Sequence, residues 1–463
     1  MTKPWIFVSS LTLAAMLAAP GAQPQVPRAG GDRAPRAYQP LTAKTRHPTK
    51  LTFVQLANNV NAAILEPVSP DPERSRFALI ITHPEHANTF NYFIAPEMAD
   101  RGYRVMMINY HGPEVVYEEF LAPIAAGIRY LRTLPGVQKV VLTGHSGGGA
   151  QLTAYQEVAE SHGKACQIPE RVYPCKGAAV ENLPPADGIM MLDARAGVVE
   201  RLIALDPSIV DPARPSYHKP DLDMFSAANG FDAKNKSGKY SAEFEHRFFQ
   251  AQGARQMKLV AEAQARLAKI EKGEGVYKDD EPMIIPGSSQ HTYDGAALNL
   301  ADLHLMSKTH SPHMLLKADG SRPVQIIPTT YGGLSEPEHQ DSMGNTTQEI
   351  TVKNFLSFLA VRTKPDYMVT EDRITGVDWR SVGNSIPGSV QGITVPSLFM
   401  PGTCASHVVF LETAFDLSAA KDKEFVAVEG GNHSFAACKP EFGDPAKHAF
   451  DYVDSWLMKP GRF

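Results

Sequence analysis

The chain has 463 residues, 43% of them hydrophobic, and a formal net charge of −5. That length supports one large core plus a second subdomain. The mild acidity, without basic clustering, excludes a dedicated nucleic-acid binder.

In chain order, Lys3 supplies a positive start, and Trp5 to Ala19 is an apolar run. That run suits a signal-peptide core and falls short of the ~20 residues of a membrane helix. Ala19 and Gly21 are small enough for a cleavage site, so residues 1–22 read as a signal peptide and the mature chain as secreted or periplasmic. No later stretch is apolar enough to span a bilayer. Residues 23–48, with Pro24, Pro27, Pro35, Pro40, Pro48, Gly30 and Gly31, read as a flexible linker. Leu51 to Leu65 alternates loosely, as early strands do. Phe77 to Thr82 is a continuous apolar run, expected for a strand buried on both faces.

Phe93 to Arg101 reads as a helix closed by Gly102, which suits a left-handed cap. Arg104 to Tyr110 is a second buried strand. Glu118 to Leu134 shows helical spacing, with Glu118 and Glu119 favouring its N-terminus and Pro135-Gly136 stopping it. Val140 to Leu142 begins a third strand, Ala150 to Val158 is helix-compatible, and Gly188 to Leu192 is a further strand ending at Asp193. The series strand, helix, strand, helix, strand predicts a parallel sheet built from right-handed crossovers.

The pattern then changes. Ser241 to Ile270 is a long amphipathic helix with Phe244, Phe248, Met257, Val260, Ala263 and Leu267 on its apolar side. Residues 273–348 are rich in Gly, Pro, Ser, His and Asn and read as loop-dominated. Within them, Pro312 in His310-Ser311-Pro312-His313 breaks helical presentation and no clustered carboxylate accompanies it, so a surface loop is expected and no metal site. Ile350 to Val361 returns to helical spacing. Residues 194–388 are thus read as a mainly helical and loop cap inserted between a first core part, 49–193, and a second, 389–463. In that second part Val395 to Met400 and Glu424 to Val428 read as strands, and Phe410 to Ala420 and Ala446 to Leu457 as helices.

The stretch from Lys139 to Tyr155 carries the chemistry. Gly144 and Gly148 flank Ser146 at minus two and plus two, between a strand and a helix. A tight strand-to-helix turn needs glycine where a Cβ would clash. It lifts the serine oxygen to a helix N-terminus, where N–H groups and the dipole meet developing negative charge. On these residues the chain resembles the α/β-hydrolase family over roughly residues 50–193 and 389–463. The resemblance implies an α/β fold, a mostly parallel central sheet flanked by helices. It also implies a Ser146 nucleophile and a histidine base after the last strand, where Gly430-Gly431-Asn432-His433 stands. It places oxyanion donors at the Gly147 N–H and in the loop after the strand 77–82. There the family's usual His-Gly is His83-Pro84, and the Glu85 N–H is nominated.

The acid is less direct. The family's usual loop reads Gly402-Thr403-Cys404-Ala405-Ser406-His407, without a carboxylate. Asp193, held at a strand end, is favoured over Glu412, expected on a helix and facing solvent. Four cysteines fit an oxidising compartment. Pairing Cys166 with Cys175 and Cys404 with Cys438 is the economical choice of the three pairings possible. The expected activity is hydrolysis of a small carboxylic ester with an apolar part, without a cofactor. A peptidase or amidase on the same triad, or a binding protein on a degenerate hydrolase fold, are the alternatives.

Overall fold

The computed structural model describes residues 47–56, 60–83, 89–109, 116–175, 180–288, 297–334 and 347–463. The signal peptide, nearly all of the linker, and Glu85 lie outside the described residues.

The chain opens with β1 (Thr49–Gln55) and β2 (Asn61–Pro67), an antiparallel pair, followed by β3 (Phe77–Thr82), α1 (Ile94–Asp100) and β4 (Arg104–Asn109). Then come α2 (Leu121–Leu131), β5 (Lys139–Ser146), α3 (Gly147–Glu160), β6 (Gly188–Ala194), α4 (Val198–Ile203) and α5 (Ala242–Glu271). Between α4 and α5 lie the short strands β7 (Phe231–Asp232) and β8 (Ser237–Gly238). The later strands are β9 (Pro282–Pro286), β10 (Lys308–Leu316), β11 (Val324–Pro328), β12 (Thr347–Thr351), β13 (Arg362–Val369), β14 (Ile374–Asp378), β15 (Ser397–Met400) and β16 (Lys423–Val428). Helices Val352–Phe358, Val408–Leu417 and Pro445–Leu457 follow β12, β15 and β16.

Among the described residues one large mixed sheet has the order β1-β2-β4-β3-β5-β6-β15-β16-β10-β11. From β4 through β10 its neighbours are parallel; β2 and β11 join antiparallel. The apolar runs are continuous because both faces are covered. Ala78, Ile80, Met106, Ile108, Val140 and Leu142 pack under α2 and α3. Their alternate neighbours Phe77, Leu79, Ile81, Val105, Met107 and Val141 pack against α1 and the last helix, with Phe450, Val453 and Trp456. Each such large side chain, fully buried, contributes about 1.5–3 kcal/mol of transfer free energy.

The long helix α5 starts where its sequence says it should: the Ser241 side chain accepts from the Phe244 N–H at 3.2 Å. Phe244, Phe248, Val260 and Ala263 on its apolar side are buried.

Residues 308–328 differ from the sequence reading. Instead of cap loop they supply the last two strands of the main sheet, with Met314 to Leu316 of β10 paired to Val426 to Val428 of β16. Pro312 is accommodated at a register shift between Lys308 and Pro312, the kind of irregularity where a strand tolerates proline. The strands β9 and β12 also pair within the region read as loop. Glu412 is the second correction. It is fully buried, not solvent-facing, and it accepts from the N–H groups of His310 (2.9 Å) and Ser311 (3.0 Å) and from His313 Nε2 (2.8 Å). Its place is a clamp between the helix Val408–Leu417 and β10, away from Ser146.

Candidate functional site

Ser146 ends β5 with φ 54° and ψ −138°, a left-handed conformation that costs a non-glycine residue about 1–3 kcal/mol. The flanking glycines make the turn possible. A Cβ on Gly144 would lie 2.5 Å from the Gly149 Cα, and one on Gly148 would overlap the Thr82 carbonyl oxygen. The serine stands at the N-terminus of α3, whose first residue is Gly147. The first N–H groups of a helix have no intrahelical acceptor, so the Gly147 N–H belongs to the set available to an anion.

His433 follows β16 in a loop closed on itself by Phe435 N–H to Asn432 O (2.8 Å) and by the Gly431–Ala437 bridge. Its Nε2 lies 3.0 Å from Ser146 Oγ and its Nδ1 2.6 Å from Asp193 Oδ2. A carboxylate only accepts, so Nδ1 carries the proton and Nε2 is the acceptor for the serine hydroxyl. Asp193 is fully buried at the end of β6, with φ 41°. Sheet order explains the meeting: β5, β6, β15 and β16 are successive neighbours, so their carboxyl ends converge.

The loop after β15 is stitched to the histidine loop. The Thr403 N–H donates to Val428 O (3.0 Å), the Cys404 N–H to Gly431 O (2.9 Å) and the Gly430 N–H to Thr403 Oγ1 (2.9 Å). Cys404 and Cys438 are disulfide-bonded across the same two loops, their Cα atoms 6.3 Å apart. Cys166 and Cys175 form a second bridge, with Cα atoms 5.3 Å apart.

Two histidines that the sequence reading left out of the site join it. His145, the residue before Ser146, faces the base loop. Its Nε2 lies 2.5 Å from the His433 carbonyl oxygen and its Nδ1 2.5 Å from the Tyr92 hydroxyl. A carbonyl cannot donate, so Nε2–H donates and Nδ1 accepts from Tyr92. His407, buried in the loop where the family's acid is usual, brings Nδ1 to 2.9 Å from Asp193 Oδ2. A carboxylate is the residue type expected in that loop, so a histidine there carries no signal of its own. Asp193 also accepts at Oδ1 from the Gly402 N–H, at 2.9 Å.

The electrostatics follow from these contacts. Burial pushes the Asp193 carboxyl up, but His407 and His433 outweigh it, through charge and hydrogen bonds, and the group is held well below 3.8. Burial lowers His433 from 6.5 to about 4; Asp193 opposes, while His407 and Arg195 add to the lowering. His433 is therefore neutral at neutral pH, as a general base must be. Burial, then the neighbouring His433, lowers His145 well below 6.5.

Among the described residues the ligating atoms close enough to share an ion are those of Asp193, His407 and His433, within 4.8 Å of one another. Two imidazole N–H bonds to one carboxylate oxygen account for this cluster by themselves. Beside the loop after β15 a cavity of about 240 Å³ is lined by Asn299, Leu303, Leu305, Met306, Thr330 and Ser406, among others.

No family model and no curated protein matches the chain in sequence. Solved structures similar to it include a hypothetical protein of Pseudomonas aeruginosa, 12% identical, covering 89% of this chain and 95% of that one with a TM-score of 0.41. Others are carboxyl esterase 2 of the mycorrhizal fungus Tuber melanosporum (10% identical, 90% and 87% covered, TM-score 0.39) and the esterase domain of a Rhodothermus marinus protein (11%, 89% and 98%, 0.36). Likenesses this distant carry neither family nor substrate, and the functional reading rests on the geometry of the site.

Proposed function

We propose that this chain is a serine hydrolase of the α/β-hydrolase type that cleaves a carboxylic ester through an acyl-enzyme. The observation that supports it is the continuous chain from Ser146 Oγ to His433 Nε2 at 3.0 Å and from His433 Nδ1 to Asp193 Oδ2 at 2.6 Å. A serine hydroxyl is a weak nucleophile and needs a positioned base, which itself needs an orienting acid.

In this reading Ser146 Oγ bonds to the ester carbonyl carbon while His433 Nε2 takes the hydroxyl proton. The carbonyl oxygen becomes an oxyanion held by the Gly147 N–H, with the nominated Glu85 N–H as partner. His433 then passes its proton to the departing alkoxide as the C–O bond breaks. Water attacks the acyl-enzyme with His433 again as base, releasing the acid and restoring Ser146. Asp193 keeps the Nδ1 proton in place and stabilises the transient imidazolium. In this reading the substrate is a small carboxylic ester. Two disulfides, and no helix among the described residues long and apolar enough to cross a membrane, fit a secreted or periplasmic setting.

The test is Ser146→Ala, with a fluorophosphonate probe on the unaltered chain. The variant should lose turnover of p-nitrophenyl esters by roughly 10⁴- to 10⁶-fold, and the probe should label wild type at Ser146 alone. A folded alanine variant that turns over like wild type ends the hydrolase reading, and a wild-type chain that does not label points to a binding protein.

A further inference from the structure

We infer that His407 is a positioning residue for this reaction: it donates Nδ1–H to Asp193 and so aims the carboxylate at His433. The inference rests on the serine-hydrolase reading above.

Three groups hold Asp193. His433 and His407 meet Oδ2 at 2.6 and 2.9 Å, and the Gly402 N–H meets Oδ1 at 2.9 Å. One sp² oxygen has two lone pairs, which two imidazole N–H groups fill. Without His407, one lone pair of Oδ2 would be left without this donor in a site with no solvent exposure, and only His433 and the Gly402 N–H would hold the carboxylate. His407 itself is buried and sits immediately before the helix Val408–Leu417. The array His407–Asp193–His433–Ser146 therefore runs as one line of partners from the loop after β15 to the nucleophile.

The arrangement also solves a placement problem. With the acid at the end of β6, the loop after β15 no longer supplies a carboxylate, yet it still abuts the base. His407 lets that loop act on the base indirectly, by donating to the acid that came from the neighbouring strand. It tempers that acid as well: an oxygen shared between two donors accepts less strongly from either one. The charged and titratable groups facing His433 are Asp193 from β6, Arg195 just beyond it, His407 from the loop after β15 and His145 from β5. Removing His407 changes one member of this set.

The experiment compares His407→Leu, which removes the donor, with His407→Asn, whose amide N–H stands close to where Nδ1–H stood. Ser146→Ala runs alongside. The leucine variant should lose kcat by about 10- to 100-fold, as expected for a lost hydrogen bond to a buried charge, with KM nearly unchanged. The acid limb of its kcat/KM profile should move to higher pH, because Asp193 then accepts more strongly from His433 Nδ1–H and stabilises the imidazolium. The asparagine variant should recover most of kcat and return the limb toward wild type. A residue that is merely structural would lower the melting temperature and move neither the limb nor the asparagine rescue. The wild-type chain gives a readout that needs no variant to fold: with ¹⁵N-labelled histidine, proton NMR should show two strongly deshielded Nδ1–H protons, both lost in Asp193→Asn. A single such proton, or a leucine variant with wild-type kcat and limb, overturns the role of His407. If Ser146→Ala keeps turnover, the hydrolase reading itself has failed.

Discussion

Asp193→Asn conserves volume and removes one charge, and the contacts around the side chain fix the outcome. Oδ2 accepts from His433 and His407, and Oδ1 from the Gly402 N–H. An amide can serve only one of these sides. With its oxygen toward the imidazoles, its NH₂ faces the Gly402 N–H, donor against donor. With its NH₂ toward them, His433 must carry its proton on Nε2, and it can no longer accept from Ser146, 3.0 Å away. Either way the transient imidazolium loses its counter-charge. In a comparable triad this change costs about 10⁴ in turnover, which is about 5.4 kcal/mol of barrier. The mismatched buried donor should lower stability by a further ~1–3 kcal/mol, so the variant melts earlier but remains folded. The assay is kcat/KM on a p-nitrophenyl ester, at a temperature where circular dichroism shows both chains native. A native Asn variant within roughly tenfold of wild type, about 1.4 kcal/mol, would remove Asp193 from the mechanism.

Glu412→Gln, by contrast, should leave kcat/KM near wild type while lowering stability by about 1–3 kcal/mol, because a buried acceptor of His310, Ser311 and His313 is replaced by one with half its capacity; a loss of turnover in a folded variant would move the acid to the later strand. Replacing Cys404 and Cys438 by serine should destabilise by about 2–4 kcal/mol, since the bridge closes a loop with a sequence separation of 34; non-reducing peptide mapping should find these two cysteines linked, and free thiols at both would contradict the pairing. The pH dependence has a definite sign. The folded-state pKa of His433 is lowered from 6.5 to about 4, so the unfolded chain takes up that proton first. Stability is thus full above pH 6.5 and falls as pH drops toward 4. Calorimetry should show the melting temperature declining over that window, and the acid limb of kcat/KM should fall inside it, since the 27% exposed edge of the His433 ring moderates the burial effect. A limb above 6.5 would contradict the assignment of the base.

The sheet was legible wherever its strands are buried on both faces. Phe77 to Thr82, Gly188 to Leu192 and Val395 to Met400 announce themselves by apolar runs, and Gly102 marks a real left-handed turn, with φ 101°. The strands β10 and β11 were not legible, because only Met314 to Leu316 of β10 pair with β16, while His310, Ser311 and Pro312 lie outside that pairing and break any apolar run. Glu412 misled for a related reason: its acceptors are filled by donors that lie about a hundred residues away in sequence. The serine turn was readable from its two glycines between a strand and a helix, and the histidine loop only from the family resemblance, which expects a histidine after the last strand. Asp193 could be favoured from its place at a strand end, but its bond to His433 depends on β6, β15 and β16 lying side by side. His407 and His145 were invisible as partners, because their roles come from atoms on other strands.

The two strands at the far edge of the sheet bear on how this protein could have diversified. Without β10, β16 would present an open row of N–H and C=O groups, a template for pairing with another chain. Without His310, Ser311 and His313, Glu412 would be a buried anion stripped of its donors. The segment between β6 and β15 is therefore not an exchangeable module from end to end. Residues 308–328 must travel with the sheet, and so must Ile386, Val390 and Ile393, which are buried in the same core as α2 and α3. A chimera joined directly from β6 to β15 should be recovered as aggregate, whereas one that retains that hairpin keeps the partner strand of β16 and the donors of Glu412.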